Sequence, residues 1–488
     1  MKKISKVLAI LLTLVMVIGS LAACGNKEET KDTGNDSTAS DTAKTDDSTA
    51  SDTTKTDDST AADSSSSEKV DEIYFLNFKP EIASVYDSIA KDYEAETGIK
   101  VKVVTAASGT YEQTLKSEVA KSDPPTIFQI NGPVGYESWK DYCADLSGTD
   151  LYSYLSDKSL AVKSGDGVYG IPYVVEGYGI IYNNAIMNKY FALADKTTTY
   201  TSMADINNFT ALKAVVEDMT AHLNELGIQG VFASTSLSAG EQWRWQTHLA
   251  NMPLYYEFKD NTAFDSTVMA GLAAKEIEFK YADNYKNIFD LYINNSCTQK
   301  GLLGSKTVND SMAEFALGQV AMVQNGNWAW SQISGVDGNA VKAEDIKFMP
   351  IYTGVTGEES QGLCIGTENY FAINSKVSDA KQKASIDFIT WLFTSDKGKD
   401  YVTNQLGFIA PFNTFKDDEK PTDPLAREVL AWMEKDGITS VGWTFAAFPS
   451  EEFKNYFGDV LLEYVQGGKT WDEVVTTVKD AWKSERAK

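Results

Sequence analysis

From Asp71 onward the chain alternates between short, densely apolar runs and longer stretches with an apolar residue every three or four positions. The run Asp71-Glu-Ile-Tyr-Phe-Leu-Asn-Phe is too apolar for an exposed edge and reads as a central parallel strand. Pro80 stops it, and residues 82–96 read as an amphipathic helix with Ile82, Val85, Tyr86, Ile89 and Tyr93 on one stripe. Gly98 closes that helix, and Ile99-Lys-Val-Lys-Val-Val-Thr is a second strand. A helix over 110–121 follows, and Pro124-Pro125 precede a third strand, Thr126-Ile-Phe-Gln-Ile. This β-α-β-α-β order predicts a parallel sheet covered by helices. Ligands of such sheets sit beyond the carboxyl ends of the strands. That rule selects Asn77, Phe78, Lys79 and Glu81 after the first strand, and Asn131, Gly132 and Tyr136 after the third.

Residues 165–182, GDGVYGIPYVVEGYGIIY, contain the spacing G-x-G-x-x-G. A dinucleotide fingerprint must follow a strand and open a helix. Here Ile171-Pro172 and a β-rich run follow, so the glycines read as a hairpin turn and Tyr173 to Tyr182 as a long strand carrying Glu176. Helices are predicted at 207–226, 241–250, 281–294, 309–317, 380–394, 424–435, 451–466 and 471–483, and strands around 319–324, 346–350 and 369–373. The stripe Phe453, Phe457, Val460, Leu461 and Tyr464 reads as core.

The N-terminus follows different rules. Lys2, Lys3 and Lys6 precede an apolar stretch, Val7 to Ile18, that is shorter than the roughly 20 residues of a spanning helix. It is followed by Leu21-Ala22-Ala23-Cys24. This is a signal peptide pattern, and its end resembles the bacterial lipobox, which implies lipidation at Cys24. Residues 25–69 hold an eleven-residue repeat, DSTASDTAKTD from Asp36 and DSTASDTTKTD from Asp47, with a degraded copy from Asp58. With Ala as its only apolar residue, the repeat cannot build a core and reads as a disordered Ser/Thr/Asp-rich tether. Cys143, Cys297 and Cys364 remain; three thiols allow at most one disulfide, and buried apolar thiols are the expected state.

Charge narrows the function. With 44 Lys and Arg against 69 Asp and Glu, the net charge is −25, which argues against a nucleic-acid partner. Only His222 and His248 are available for zinc or histidine chemistry, and neither a metal nor another cofactor is expected.

Several segments in order resemble one family. They are YFLNFKPE at the opening strand, PPTIFQI at 124–130, YGIPYVVEGYGIIYN at 169–183, EFALGQVAMVQNGNWAW at 314–330, and YFAIN at 370–374. The last is followed by ASIDFITWLFTSDKGKDYV and by GFIAPF at 407–412. Together, behind the lipobox, they resemble the extracellular solute-binding proteins of ABC sugar importers (family 1, maltose-binding-protein-like) in lipoprotein form. The resemblance implies an α/β, two-lobed periplasmic-binding-protein-like fold (type II), each lobe a mostly parallel sheet flanked by helices, with a hinge between them. By analogy the chain crosses between lobes within Val174 to Ile181, near 350–365 and around 412–425. Lobe one would hold 70–175 plus 363–415, and lobe two 180–350 plus 425–488. The implied role is a lipid-anchored monomer on the outer face of the cytoplasmic membrane that delivers its ligand to an ABC permease.

A sugar offers hydroxyls that need polar partners and C–H faces that pack on aromatic rings; each hydroxyl buried without a partner costs about 1–3 kcal/mol. That mixture occurs at the selected loops. The candidates are Asn77, Lys79, Glu81, Asn131, Tyr136, Glu176, Tyr178, Trp243, Trp245, Asn325, Asn327, Trp328, Glu368, Asn369, Trp443 and Phe445. Trp330 and Phe448 belong to the same aromatic segments, and of Trp328 and Trp330, two apart, Trp328 is favoured for the cleft. A peptide or polyamine binder on the same fold is an alternative. A glycoside hydrolase would need paired carboxyls about 5–9 Å apart, for which Glu81, Glu176 and Glu368 are candidates. No catalytic residue is assigned.

Overall fold

The computed structural model describes residues 69–107, 109–264, 266–416 and 418–488. The signal segment 1–24 with Cys24, and the tether 25–69 apart from Lys69, lie outside the described residues. The strands, in chain order, are β1 (Glu72–Asn77), β2 (Lys100–Thr105), β3 (Ile127–Asn131), β4 (Val162–Ser164), β5 (Gly167–Pro172) and β6 (Glu176–Asn183). They continue with β7 (Gly230–Phe232), β8 (Val320–Gly326), β9 (Ile346–Met349), β10 (Gln361–Gly366), β11 (Asn369–Ile373) and β12 (Thr439–Val441).

These strands build two sheets, each the centre of one lobe. The first runs β2-β1-β3-β11-β5-β4; the second runs β12-β10-β6-β8-β7, with β9 also paired to β6. In β1, Ile73 and Phe75 face a core with Tyr86, Ile89 and Tyr93, whereas Tyr74 and Leu76 face another with Leu115 and Phe128. Burial on both faces is why EIYFLN lacks polar alternation, and each such side chain contributes about 1.5–3 kcal/mol. The helix Ala83–Thr97 ends where predicted, at Gly98, whose φ of 75° lets its N–H reach Glu94 O. The GDGVYG glycines form the β4–β5 hairpin, turning at Gly165.

The expectation of mostly parallel sheets is corrected: both sheets are mixed. β1, β2 and β3 are parallel, as are β7 with β8 and β10 with β12. But β11 runs against both of its neighbours, and β6 runs against β8, β9 and β10. The cause is the hinge. Strands reached through helices end at the cleft, whereas β6 and β11 arrive directly from the other lobe and begin there. Tyr178 accordingly lies opposite Gly326 at the end of β8, and Asn369 opposite Asn131 at the end of β3. The first passage between lobes is Tyr173–Val175, at the front of the expected window. The second is Thr367–Glu368, later than 350–365, because QGLCIG still pairs as a strand of the second sheet. A third lies between Phe415, packed in the first lobe, and Pro424, where the helix Pro424–Met433 begins on the second.

In β6, Tyr178, Ile180 and Tyr182 enter the main core of the second lobe. Gly177 points the other way, toward the helix Pro424–Met433, where a Cβ would come within 2.7 Å of Val429. The E-G-Y-G pattern is thus a strand with one flat side. The predicted helix at 241–250 is a π-helix over Arg244–Leu249 instead. Three side chains draw its carbonyls out of the regular ladder: Gln324 Nε2 donates to Arg244 O, Tyr285 Oη to Trp245 O and Tyr178 Oη to His248 O, each at 2.9 Å. Cys143 and Cys364 are buried, Cys297 is half-buried, and all three are free thiols.

Candidate functional site

The site is built from the ends of strands that stop or start at the hinge. After β1, the Asn77 amide locks the loop: its Nδ2 donates to Lys79 O (2.8 Å) and Thr105 Oγ1 (3.1 Å), and its Oδ1 accepts from Lys79 N (3.1 Å). Phe78 N donates to Gln129 Oε1 at 2.6 Å. The fixed loop sends Lys79, buried, across to β6. There its ammonium pairs with Glu176 Oε1 at 2.7 Å, with Glu81 Oε1 at 3.7 Å. Burial pushes Lys79 down, but Glu176 and then Glu81 hold it above the ordinary lysine range, so it stays charged. Burial pushes Glu176 up, with Lys79 opposing. Lys79 thus bridges two carboxylates, the buried Glu176 and the half-buried Glu81. Lys79, Glu81, Glu176, Trp328, Trp330 and Asp423 line a cavity of 190 Å³ between the lobes.

The second lobe brings an aromatic cluster centred on His248. Its ring lies 4.5 Å from Tyr178, 4.9 Å from Trp243, 4.9 Å from Phe445, 5.5 Å from Trp328 and 6.2 Å from Trp443. Burial, then the nearby cations Arg244, Lys454 and Lys79, push the imidazole well below its usual range, so it is neutral. The indole Nε1 atoms of Trp328 and Trp443 are buried with no hydrogen-bond partner among the described residues. Buried indole N–H groups ordinarily find a partner; of these two rings, Trp328 lines the interlobe cavity and Trp443 belongs to the second lobe's core.

Around the second passage, Asn131 Nδ2 donates to Glu368 Oε1 at 3.2 Å, and Asn369 is buried beside them. Burial pushes the Glu368 carboxyl up, with Lys454 of the second lobe opposing. Burial likewise raises Glu112, against the Trp139 indole that donates to it at 2.9 Å. Lys454 is buried and paired with Glu451 at 2.7 Å; burial lowers it, and Glu451 and then Glu368 outweigh that. Elsewhere the lobes touch at Gly109 and Gly240, where a Cβ on Gly109 (φ 70°) would stand 3.1 Å from Gly240 O.

The structure thus brings Lys79, Glu81, Glu176 and Trp328 to the cavity, packs Tyr178, Trp243, Trp443 and Phe445 into the ring cluster around His248, and sets Asn131, Glu368 and Asn369 at the neighbouring passage. Five candidates are turned to other work. Asn77 locks its loop. Asn325 Nδ2 contacts Met312 Sδ at 3.3 Å while its Oδ1 accepts from Gly326 N. Asn327, which also lines the cavity, clamps the first passage: its Oδ1 accepts from Gly177 N and its N donates to Gly177 O, both at 2.9 Å. Trp245 is core, its Nε1 donating to Ser236 O at 3.0 Å, and Tyr136 stacks on Tyr169 at 4.8 Å. Four residues escaped the sequence reading: Glu112, Arg244, His248 and Lys454. The available signals were the cation between the two indoles of WRW, and a lysine beside the apolar stripe of the helix Glu451–Val465.

A family model described as bacterial extracellular solute-binding protein matches residues 88–428. No curated protein sequence matches the chain. Among solved structures, a chitin oligosaccharide binding protein aligns with a TM-score of 0.66 at 16% identity, covering 86% of this chain and 100% of that one. RafE in complex with raffinose aligns at 0.63 and 18%, covering 85% and 99%. Maltose-bound MalE3 of T. maritima aligns at 0.63 and 14%, again covering 85% and 99%. At these identities the likeness is one of fold, and that fold has two lobes.

Proposed function

This chain belongs to the bacterial extracellular solute-binding proteins, and from that premise we propose that it captures a mono- or oligosaccharide between its lobes and delivers it to an ABC permease. Membership places it among binding proteins rather than enzymes. The observation that carries the carbohydrate reading is the interlobe cavity, which the rings of Trp328 and Trp330 line together with the ions of Lys79, Glu81 and Glu176, and where the Trp328 indole N–H has no partner among the described residues. Flat apolar faces with inward donors, opposite the ions of Lys79, Glu81 and Glu176, match the C–H faces and hydroxyls of a pyranose. The sugar-bound neighbours are in keeping with this. A hydrolase role for Glu81 and Glu176 is disfavoured because one ammonium, that of Lys79, neutralises both.

The proposal extends to place. The protein is exported by residues 1–24, acylated at Cys24, and held as a monomer on the outer face of the cytoplasmic membrane through the 25–69 tether. Acyl labelling tests the anchor: Cys24→Ala should lose the label and release the protein to the medium. Intrinsic tryptophan emission titrated with a carbohydrate panel tests the ligand. At least one sugar should shift emission and raise the melting temperature; if none does while a peptide or polyamine does, the carbohydrate assignment falls.

A further inference from the structure

Four cations are buried among the described residues: Lys79, Arg244, Lys399 and Lys454. Three of them hold a carboxylate, Glu176, Glu419 and Glu451, each at 2.7 Å. Arg244 does not. It is 2% exposed, its Nε and Nη1 have no hydrogen-bond partner, and no carboxylate among the described residues lies within 4.0 Å of it. Its guanidinium lies 3.7 Å from the centre of the Trp243 ring, and Trp243 in turn touches His248 and Trp328. The unpaired charge is thus joined through Trp243 to Trp328, which lines the interlobe cavity.

The acids nearest to it are committed elsewhere. Glu81 leans on Lys79 at 3.7 Å, and Glu241 Oε2 accepts from Val308 N at 3.2 Å. Burial pushes Arg244 downward, with Glu241 and Glu81 opposing only from a distance. A guanidinium nevertheless stays charged, offers donors alone, and presents them as a planar fork. Burying it without a counter-charge costs several kcal/mol. A sugar hydroxyl would satisfy a donor but leave the charge uncompensated. A carboxylate satisfies both, through two parallel N–H···O bonds.

We propose that the carbohydrate taken by this cleft carries a carboxylate, as a uronic acid residue does, and that Arg244 receives it as a bidentate partner beside Trp243. This rests on the carbohydrate reading above and specifies its substrate class.

Calorimetry with the full chain and matched ligands tests it: galactotriose against trigalacturonate, xylotriose against its glucuronic-acid-substituted form, and a neutral disaccharide against its sulfated derivative. At least one uronate-bearing sugar should bind about tenfold or more tighter than its neutral match, with the advantage shrinking as salt rises. Arg244→Met should abolish that advantage and Arg244→Lys restore it in part. If Arg244→Met does not fold, the matched pairs on the unaltered protein and their salt dependence decide alone. Neutral sugars binding as tightly as every acidic match would overturn the inference while leaving the carbohydrate reading intact. So would a preference that survives Arg244→Met, or one shown only by the sulfated sugar. If neither neutral nor acidic sugars bind, both fall together.

Discussion

Where the first lobe meets the hinge, the charged groups at the cleft are already engaged. Lys79 holds Glu176 and Glu81, Asn131 donates to Glu368, and Trp139 donates to Glu112. On the second lobe lies a ring cluster in which Trp328 Nε1, Trp443 Nε1 and Nε and Nη1 of Arg244 have no partner among the described residues. The difference separates two jobs. A wall of satisfied ions holds the hinge and sets the cleft's shape, because breaking any one of those pairs strands a charge. Tyr178, Trp443 and Phe445 also build the second lobe's core, so among the rings it is Trp328, at the cavity, whose unsatisfied donor serves a ligand more than the fold. Substitutions among the ions should therefore be read mainly in stability, and those at Trp328 mainly in affinity.

The largest expected effect is on the ionic side. Lys79→Met leaves the buried Glu176 and the half-buried Glu81 beside no cation and should cost about 3 kcal/mol of unfolding free energy in urea titrations. Adding Glu176→Gln should recover part of it. A loss below about 1 kcal/mol would break the contrast between the walls. Next, Trp328→Ala should weaken ligand binding about 30-fold by calorimetry, a loss near 2 kcal/mol. Its melting temperature should fall far less than that of Lys79→Met; an unaffected affinity would remove Trp328 from the ligand surface. Asn327→Ala sharpens the border between the walls. It should lose about 1–2 kcal/mol of stability, since Gly177 N–H is left without its acceptor, yet change affinity less than Trp328→Ala.

The smallest effect belongs to Asp423, at the rim of the cavity. Burial raises its carboxyl to about 6, against the helix-capping bonds from Ala426 N and Leu425 N. The folded protein therefore binds this proton more tightly than the unfolded chain does. The stability it contributes is full below the ordinary carboxylate value near pH 4 and is lost as pH rises through about 6. Asp423→Asn, which can still cap the helix, should flatten that slope by about 1 kcal/mol or less between pH 4 and 7. An unchanged slope in chemical unfolding would mean that the group is solvated.

The sequence made the first wall easier to read than the second. Lys79, Glu81 and Asn131 follow strands whose apolar runs are unmistakable, and the carboxyl-end rule then points at them. The same rule selects Asn77, and the aromatic segment QNGNWAW brings in Asn327, but a short amide next to a turn is as apt to bond the backbone as a ligand. The second wall depends on what a 3.6-residue period does not encode. The π-helix at Arg244–Leu249 exists because Gln324, Tyr285 and Tyr178, all distant in sequence, pull its carbonyls aside. That distortion accompanies a segment in which Trp243 joins the cluster, Trp245 enters the core and His248 lies among the rings. Strand direction was hidden for a similar reason: β6 and β11 look like their neighbours in composition, and only their entry from the opposite lobe reverses them.

At Gly109 and Gly240 the fit between the lobes depends on one absent methyl group, since a Cβ on Gly109 would stand 3.1 Å from Gly240 O whereas one on Gly240 would meet nothing within 4 Å. A side chain at Gly109 should act as a shim that holds the walls ajar. Ligand would then be gripped from one side at a time, and the equilibrium between open and shut forms would move by whatever the wedge costs. The tightness of capture is therefore adjustable from a position outside both walls, so the protein's sensitivity can drift, or be engineered, without altering what it recognises.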